Sequence, residues 1–130
     1  MTNTGYSGTP LPTKLGVKAD SRVLVAGAPA GFELACPHHQ RAGREPYDVQ
    51  LVFCPDVATL HRRWAASVAR MTTAGALWIA WPKKASGVPT DLDENGVRDY
   101  ALAHGLVDVK VCAVDQVWSG LKLVRRLADR

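Results

Sequence analysis

The sequence predicts an α/β fold in three layers, whose mostly parallel sheet of about five strands ends in an antiparallel C-terminal hairpin. Strand-like apolar runs alternate with segments of helical periodicity, which is the pattern of a sheet covered by helices. Residues 76–81 are apolar throughout, as in strands that are buried on both faces. A turn of only five residues, 116–120, separates the last two strand-like runs and forces them to be antiparallel. The chain therefore reads as an N-terminal arm, residues 1–20, and one domain, residues 21–130.

The first half of the domain predicts two strands joined by a turn and a long loop. Residues 21–27 form a β-branched run that ends in glycine, and we expect a tight turn and a short helix after it. Residues 36–46 lack periodicity, which indicates a loop. Residues 47–54 predict the second strand, and apolar positions at helical spacing predict a helix that starts at Asp56.

The second half predicts a central strand, a helix and the hairpin. Residues 72–75 read as a turn into the strand over 76–81, which Pro82 ends because proline has no backbone N–H for a ladder. Thr90 is expected to cap a helix that begins at Asp91 and runs to about His104. Two strands, over residues 106–115 and 121–127, then complete the sheet.

Composition narrows the class of partner. The net charge of +4 favours a small anionic ligand and does not by itself indicate nucleic acid. Arg125 and Arg126 point to opposite faces of a strand, so with Lys122 they do not form one basic stripe. No apolar run is long enough to span a membrane and no signal-peptide pattern is present, so we expect a cytoplasmic protein.

Cysteine and histidine usage predicts neither a disulfide framework nor a metal site. Three cysteines cannot close such a framework, and Cys54 and Cys112 lie in apolar runs typical of buried, reduced thiols. Cys36, His38 and His39 cannot close a tetrahedral metal site without a distant fourth ligand. The sequence leaves three locations open for Trp78, Trp81 and Trp118: the core, the wall of a crevice, or an interface between two protomers. The last location would imply a homodimer.

The candidate site lies at the carboxyl edge of the sheet, where parallel strands deliver their ends and ligands bind in such folds. Gly27 and Gly31 lie in the turn after the first strand, which is either a cofactor-binding glycine loop of the Rossmann type or a simple strand-to-helix turn. The segment after the third strand carries the candidate anion ligands Lys83, Lys84, Ser86 and Thr90. The expected crevice edge comprises Trp81, Asp115, Trp118 and Ser119.

Three stretches, residues 5–11, 81–91 and 118–121, resemble a family of small actinobacterial proteins known only as a domain of unknown function. This resemblance covers nearly the whole chain and implies no known activity. More distantly, a terminal antiparallel hairpin on a parallel sheet resembles the class I methyltransferase fold, in which S-adenosylmethionine lies on the glycine loop after the first strand. That resemblance implies a truncated relative of the fold, with Gly27 and Gly31 at the cofactor position.

Two functions follow as expectations. The first is a small binding or regulatory module with an anion site at Lys83 and Lys84. The second is a small methyltransferase-like enzyme that uses S-adenosylmethionine or a nucleotide at the glycine turn. An open crevice over Gly27 would favour the enzyme, whereas one filled by Phe32 or by the N-terminal arm would favour the binding module.

Overall fold

A computed structural model describes residues 9–130. The elements are α1 (Leu11–Leu15), β1 (Val23–Ala26), β2 (Tyr47–Phe53), α2 (Val57–Ala69), β3 (Met71–Pro82), α3 (Glu94–Ala103), β4 (Leu106–Ala113) and β5 (Trp118–Arg125), with short 3₁₀ turns at Lys84–Ser86 and Leu127–Asp129. The chain is an α/β protein with one five-stranded mixed sheet, as the sequence predicts. The apolar residues Tyr6 and Leu11 are expected to dock the N-terminal arm onto the domain, and Tyr6 lies outside the described residues.

The strands lie in the order β1-β2-β3-β5-β4. β1, β2 and β3 are parallel to one another, whereas β5 is antiparallel to both of its neighbours, β3 and β4. The predicted C-terminal hairpin is therefore confirmed, and its second strand is inserted between β3 and β4. Because β1, β2 and β3 run in the same direction, their carboxyl ends meet at one edge of the sheet.

The two faces of the sheet are covered differently. On one face, α2 and α3 bury Leu60, Trp64, Val97 and Ala101 against the strands. The other face is covered by α1 and irregular chain, which pack Leu15, Phe32 and Leu34 onto the sheet. The helix expected after β1 is absent, because residues 28–33 form turns in which Pro29 lacks an amide donor and Gly31 has a φ of +84°. The third layer is therefore largely irregular.

The N-terminal arm contains a helix that the sequence analysis did not predict. α1 ends at Gly16, whose φ of +82° forms a left-handed cap. Leu15 is fully buried, and its carbonyl oxygen accepts a hydrogen bond of 3.1 Å from the indole Nε1 of Trp78. Leu11 packs against the same core, as expected. Residues 11–17 are therefore part of the folded domain, and Trp78 belongs to its core.

Residues 72–75 belong to β3 and do not form the predicted turn. The pairing with β2 shifts here, from Tyr47 opposite Met71 to Val49 opposite Ala76. A Cβ atom on Gly75 would lie 3.0 Å from the carbonyl oxygen of Tyr47. Glycine at this position therefore permits the close approach of two strands within an irregular ladder, which is a common role of glycine in β structure.

The helix after β3 begins later than predicted. Asp93, not Thr90, is the N-cap of α3, and its carboxylate accepts a hydrogen bond of 2.7 Å from the amide of Gly96. The Thr90 hydroxyl instead donates to the carbonyl oxygen of Pro55 at 2.6 Å and accepts from the amide of Leu92 at 3.1 Å. Thr90 therefore fastens the preceding segment to the start of α2.

The hairpin turn is also displaced relative to the prediction. β4 ends at Ala113 and β5 already begins at Trp118, so residues 118–120 are strand and not turn. The Asp115 carboxylate accepts hydrogen bonds of 2.8 Å from the amides of Val117 and Trp118, which closes the turn. Gly120 lies opposite Ala80 in the β3–β5 ladder, and a Cβ atom on it would be 3.3 Å from the indole ring of Trp78.

Candidate functional site

The carboxyl edge of the sheet brings together the segments that the sequence analysis assigns to a site. β1 ends next to Gly27, β2 next to Cys54 and β3 next to Lys83. The backbone amide of Lys83 donates a hydrogen bond of 2.8 Å to the carbonyl oxygen of Val117, which joins the exit of β3 to the hairpin turn. The backbone at Lys83 is therefore held in place both by β3 and by the hairpin turn.

A cavity of about 380 Å³ lies at the end of β3. Its wall is formed by Trp81, Lys83, Lys84, Asp93, Glu94, Asn95 and Ser119. Trp81 and Ser119 lie directly opposite each other in the β3–β5 ladder. Lys83 is half-buried and Lys84 is exposed. Within residues 9–130, neither ammonium group has a hydrogen bond or an ion pair with a protein group. We name this space the β3 cavity.

Ser86 and Thr90 do not join the two lysines as anion ligands. The Ser86 hydroxyl donates to the carbonyl oxygen of Lys83 at 2.6 Å and accepts from the amide of Val88 at 3.2 Å. The Thr90 hydroxyl is engaged with Pro55, as described above. Both side chains therefore shape the loop, and neither lies on the wall of the β3 cavity. Among the described residues, neither lysine ammonium forms a hydrogen bond with Ser86 or Asp115.

Two carboxylates on the wall of the β3 cavity were not recognised as site residues from the sequence. Asp93 caps α3, and Glu94 forms an ion pair with Arg98 in the next turn of the same helix. Arg98 also binds Asp108 on β4 at 2.9 Å. The spacing of Asp93 and Gly96 is that of an N-cap and its N3 amide, and it was the available signal for placing these acids at the edge.

The glycine turn after β1 is covered by an arginine. Gly27 has a φ of +72°, and a Cβ atom there would lie 2.6 Å from Nη1 of Arg63. Arg63 is a half-buried residue of α2. Gly31 is exposed, with no atom within 4 Å of its Cβ position. The space beside Gly27 is therefore filled by Arg63, a residue that the expectation for this crevice did not include.

An aromatic row lies beside the glycine turn on the opposite face of the sheet. The rings of Phe32 and Phe53 meet edge to face at 4.9 Å, and those of Phe53 and Trp118 at 5.0 Å. Trp118 therefore packs into the core instead of forming an open crevice wall. The Asp115 carboxylate is committed to the turn. Of the four expected crevice-edge residues, only Trp81 and Ser119 lie on the wall of the β3 cavity.

The cysteines are unsuited to nucleophilic chemistry. All three cysteines are free thiols. Cys54 is buried, as predicted, whereas Cys112 is only half-buried, so the prediction that it is buried is wrong. Burial raises the pKa of the Cys54 thiol to about 12, and it also raises the pKa of Cys36 and Cys112. The thiolate is the reactive form, so these groups stay protonated and inert near neutral pH. Residues 9–130 contain no group of three or more His, Cys, Asp or Glu side chains arranged to hold a metal ion.

The C-terminal arginines have structural partners. The guanidinium of Arg125 donates to the carbonyl oxygens of Val68 and Met71, at 3.0 and 3.3 Å. Arg126 donates to the carbonyl oxygen of Leu102 at 2.9 Å. Each arginine thus reaches a carbonyl group in the last turn of a helix, Val68 of α2 or Leu102 of α3, and Arg125 also reaches the first residue of β3. These contacts give both cations a structural role at the helix ends.

No known protein-family model matches this chain, and a search of curated proteins finds no match either. Over residues 9–130, the structure defines an α/β protein with one five-stranded mixed sheet and three helices. None of the helices described between residues 9 and 130 has the length and apolar character needed to cross a membrane.

Proposed function

We propose that this protein is a small binding or regulatory module whose anion site is the β3 cavity, with Lys83 and Lys84 as its ligands. The observation that carries the proposal is the pair of ammonium groups without protein partners on one cavity wall, at the carboxyl edge of the sheet. Ligands of open α/β sheets bind at this edge. In contrast to the two lysines, Arg125 and Arg126 are engaged with backbone carbonyls.

Electrostatics favours an anion between the two lysines. Adjacent ammonium groups repel each other, and a phosphate or carboxylate placed between them replaces that repulsion by two attractions. Lys83 is half-buried, so its charge is less screened than that of a fully exposed side chain. A volume of about 380 Å³ lies near the lower end of the range of small-molecule sites, so the ligand is small.

The test is binding of inorganic phosphate and sulfate, measured by thermal shift and by titration calorimetry at low salt. Lys83→Ala with Lys84→Ala should abolish the anion-dependent rise in melting temperature. Lys18→Ala with Lys110→Ala is a matched control, because it removes the same charge from two exposed positions outside the cavity. In the parent protein, the bound anion raises the melting temperature by mass action, and this rise becomes smaller as the salt concentration increases. Equal anion responses in both double variants would refute the site.

A second function, a methyltransferase-like enzyme, is supported by the strand order. An antiparallel last strand inserted between β3 and β4 fits the terminal hairpin of the class I methyltransferase fold. Arg63 opposes this function, because its guanidinium lies on Gly27 where the cofactor would approach. If the enzyme reading holds, calorimetry should detect S-adenosylmethionine binding that Gly27→Ala weakens. If the binding module is correct, neither the parent nor Arg63→Ala binds this cofactor.

A further inference from the structure

We infer that the β3 cavity selects a zwitterion, a small molecule that carries a phosphate or carboxylate group together with an amine. This inference rests on the proposed anion site and names the chemical class of its ligand. It follows from the presence of both signs of charge on one cavity wall: Lys83 and Lys84, and Asp93 and Glu94.

The opposite charges share the cavity without neutralising each other. No nitrogen of Lys83 or Lys84 lies within 4.0 Å of either carboxylate. Charges held apart across a space of about 380 Å³ are complementary to a ligand whose own charges are similarly separated.

The carboxylates retain capacity for a donor. Asp93 uses Oδ1 to accept from the amide of Gly96, and Glu94 uses Oε2 to bind Arg98. The second oxygen of each carboxylate accepts no hydrogen bond from the described residues. An ammonium group offers three donors and no acceptor, so it is suited to either of these oxygens.

The same carboxylates weaken the affinity of the cavity for a simple anion without abolishing it. A phosphate between Lys83 and Lys84 is attracted by two cations but repelled by two nearby carboxylates, and Asp93 and Glu94 also occupy the N-terminus of α3, where a helix would otherwise attract an anion. An amine on the ligand converts that repulsion into attraction. The ammonium end should therefore lie on the α3 side and the anionic end on the β3 side.

The experiment compares phosphoethanolamine, which carries a phosphate and an amine, with inorganic phosphate and with ethanolamine by titration calorimetry on the whole chain. We expect phosphoethanolamine to bind about tenfold more tightly than phosphate, from two partly exposed ion pairs. Asp93→Asn with Glu94→Gln should remove this preference. Asparagine caps helices as well as aspartate does, so the fold is retained. Asp99→Asn is the control, an exposed acid of α3 outside the cavity wall.

The outcomes separate the inference from the function on which it rests. Equal affinities for phosphate and phosphoethanolamine, both lost in the Lys83→Ala, Lys84→Ala variant, would overturn the zwitterion inference and leave the anion site intact. A preference that survives Asp93→Asn with Glu94→Gln would also overturn it. Absence of binding by every probe would overturn the anion site together with the inference.

Discussion

Replacing Gly27 by alanine tests whether Arg63 is held on the glycine turn. The substitution introduces two separate costs. The first is conformational, because the φ of +72° lies in the left-handed region that a Cβ atom disfavours. The second is steric, because the new Cβ atom would lie 2.6 Å from Nη1 of Arg63 and 3.0 Å from its Cζ.

The structure contains an internal control for the first cost. Gly31 has a similar φ of +84°, but no atom lies within 4 Å of its Cβ position. Gly31→Ala should therefore cost about 1 to 2 kcal/mol from backbone conformation alone. Gly27→Ala should cost roughly 0.5 to 1 kcal/mol more, since the end of a flexible arginine can move away at modest expense. The gain from stiffening the unfolded chain is the same at both positions and cancels in the comparison.

The assay is equilibrium unfolding in urea, with each substitution made in the parent and in Arg63→Ala. In the Arg63→Ala background the two glycine substitutions should become equally costly, because the steric contribution has been removed. If Gly27→Ala keeps its excess cost in that background, the contact with Arg63 is not its origin. If the two substitutions cost the same in the parent, Arg63 does not lie on the turn in solution.

The remaining predictions concern thiol reactivity, acid stability and a helix end. Burial raises the pKa of Cys54 to about 12, so this thiol should react with Ellman's reagent only after unfolding, and reaction in the native state at mildly alkaline pH would contradict its burial. Hydrogen bonding by the side chain of Thr59, and next by its amide, lowers the pKa of Asp56. This carboxylate therefore stabilises the fold above the pKa of the unfolded state, and the contribution is lost as the pH falls through the lower folded value. Asp56→Asn should flatten that part of the acid unfolding curve, and an unchanged curve would refute the assignment. Arg125→Ala should cost about 1 to 2 kcal/mol in urea unfolding because two carbonyl groups lose a charged donor, whereas the more exposed Arg126→Ala should cost less. Equal costs would contradict the difference in burial.

The strands and their edge were predictable because the information is local. Apolar β-branched runs mark β1, β2 and the centre of β3, and the short connection before β5 dictates an antiparallel pair. These facts place Gly27, Cys54 and Lys83 at one edge without further knowledge. The N-cap of α3 was not predictable in the same way, because Thr90 and Asp93 are both good capping residues. The choice depends on the contact of Thr90 with Pro55, which is 35 residues away.

The positions of the side chains at the candidate site depend on packing between distant segments, which no local sequence pattern encodes. Arg63 lies off the apolar stripe of α2, and periodicity assigns such a residue to solvent. Its position over Gly27 follows from how α2 crosses the strands. Glu94 likewise lies on the wall of the β3 cavity only because α3 starts at the same edge at which β3 ends. Lys83 and Lys84 lie on the same wall, whereas the hydroxyls of Ser86 and Thr90 are used by the loop itself.

The position of β5 has a consequence for how the protein is made. Of the five described strands, β5 is the last to leave the ribosome, yet it lies inside the sheet between β3 and β4. Until β5 emerges, β4 has no strand partner. The edge of β3 that later pairs with β5, for example at Leu77 opposite Leu123, also stays exposed. Nascent chains that carry β1 to β4 therefore expose unpaired strand edges, the state most prone to association with other chains. Closure of the sheet must wait until β5 has been synthesised, so a chain stopped between Ala113 and Trp118 should be a substrate for chaperones and proteases.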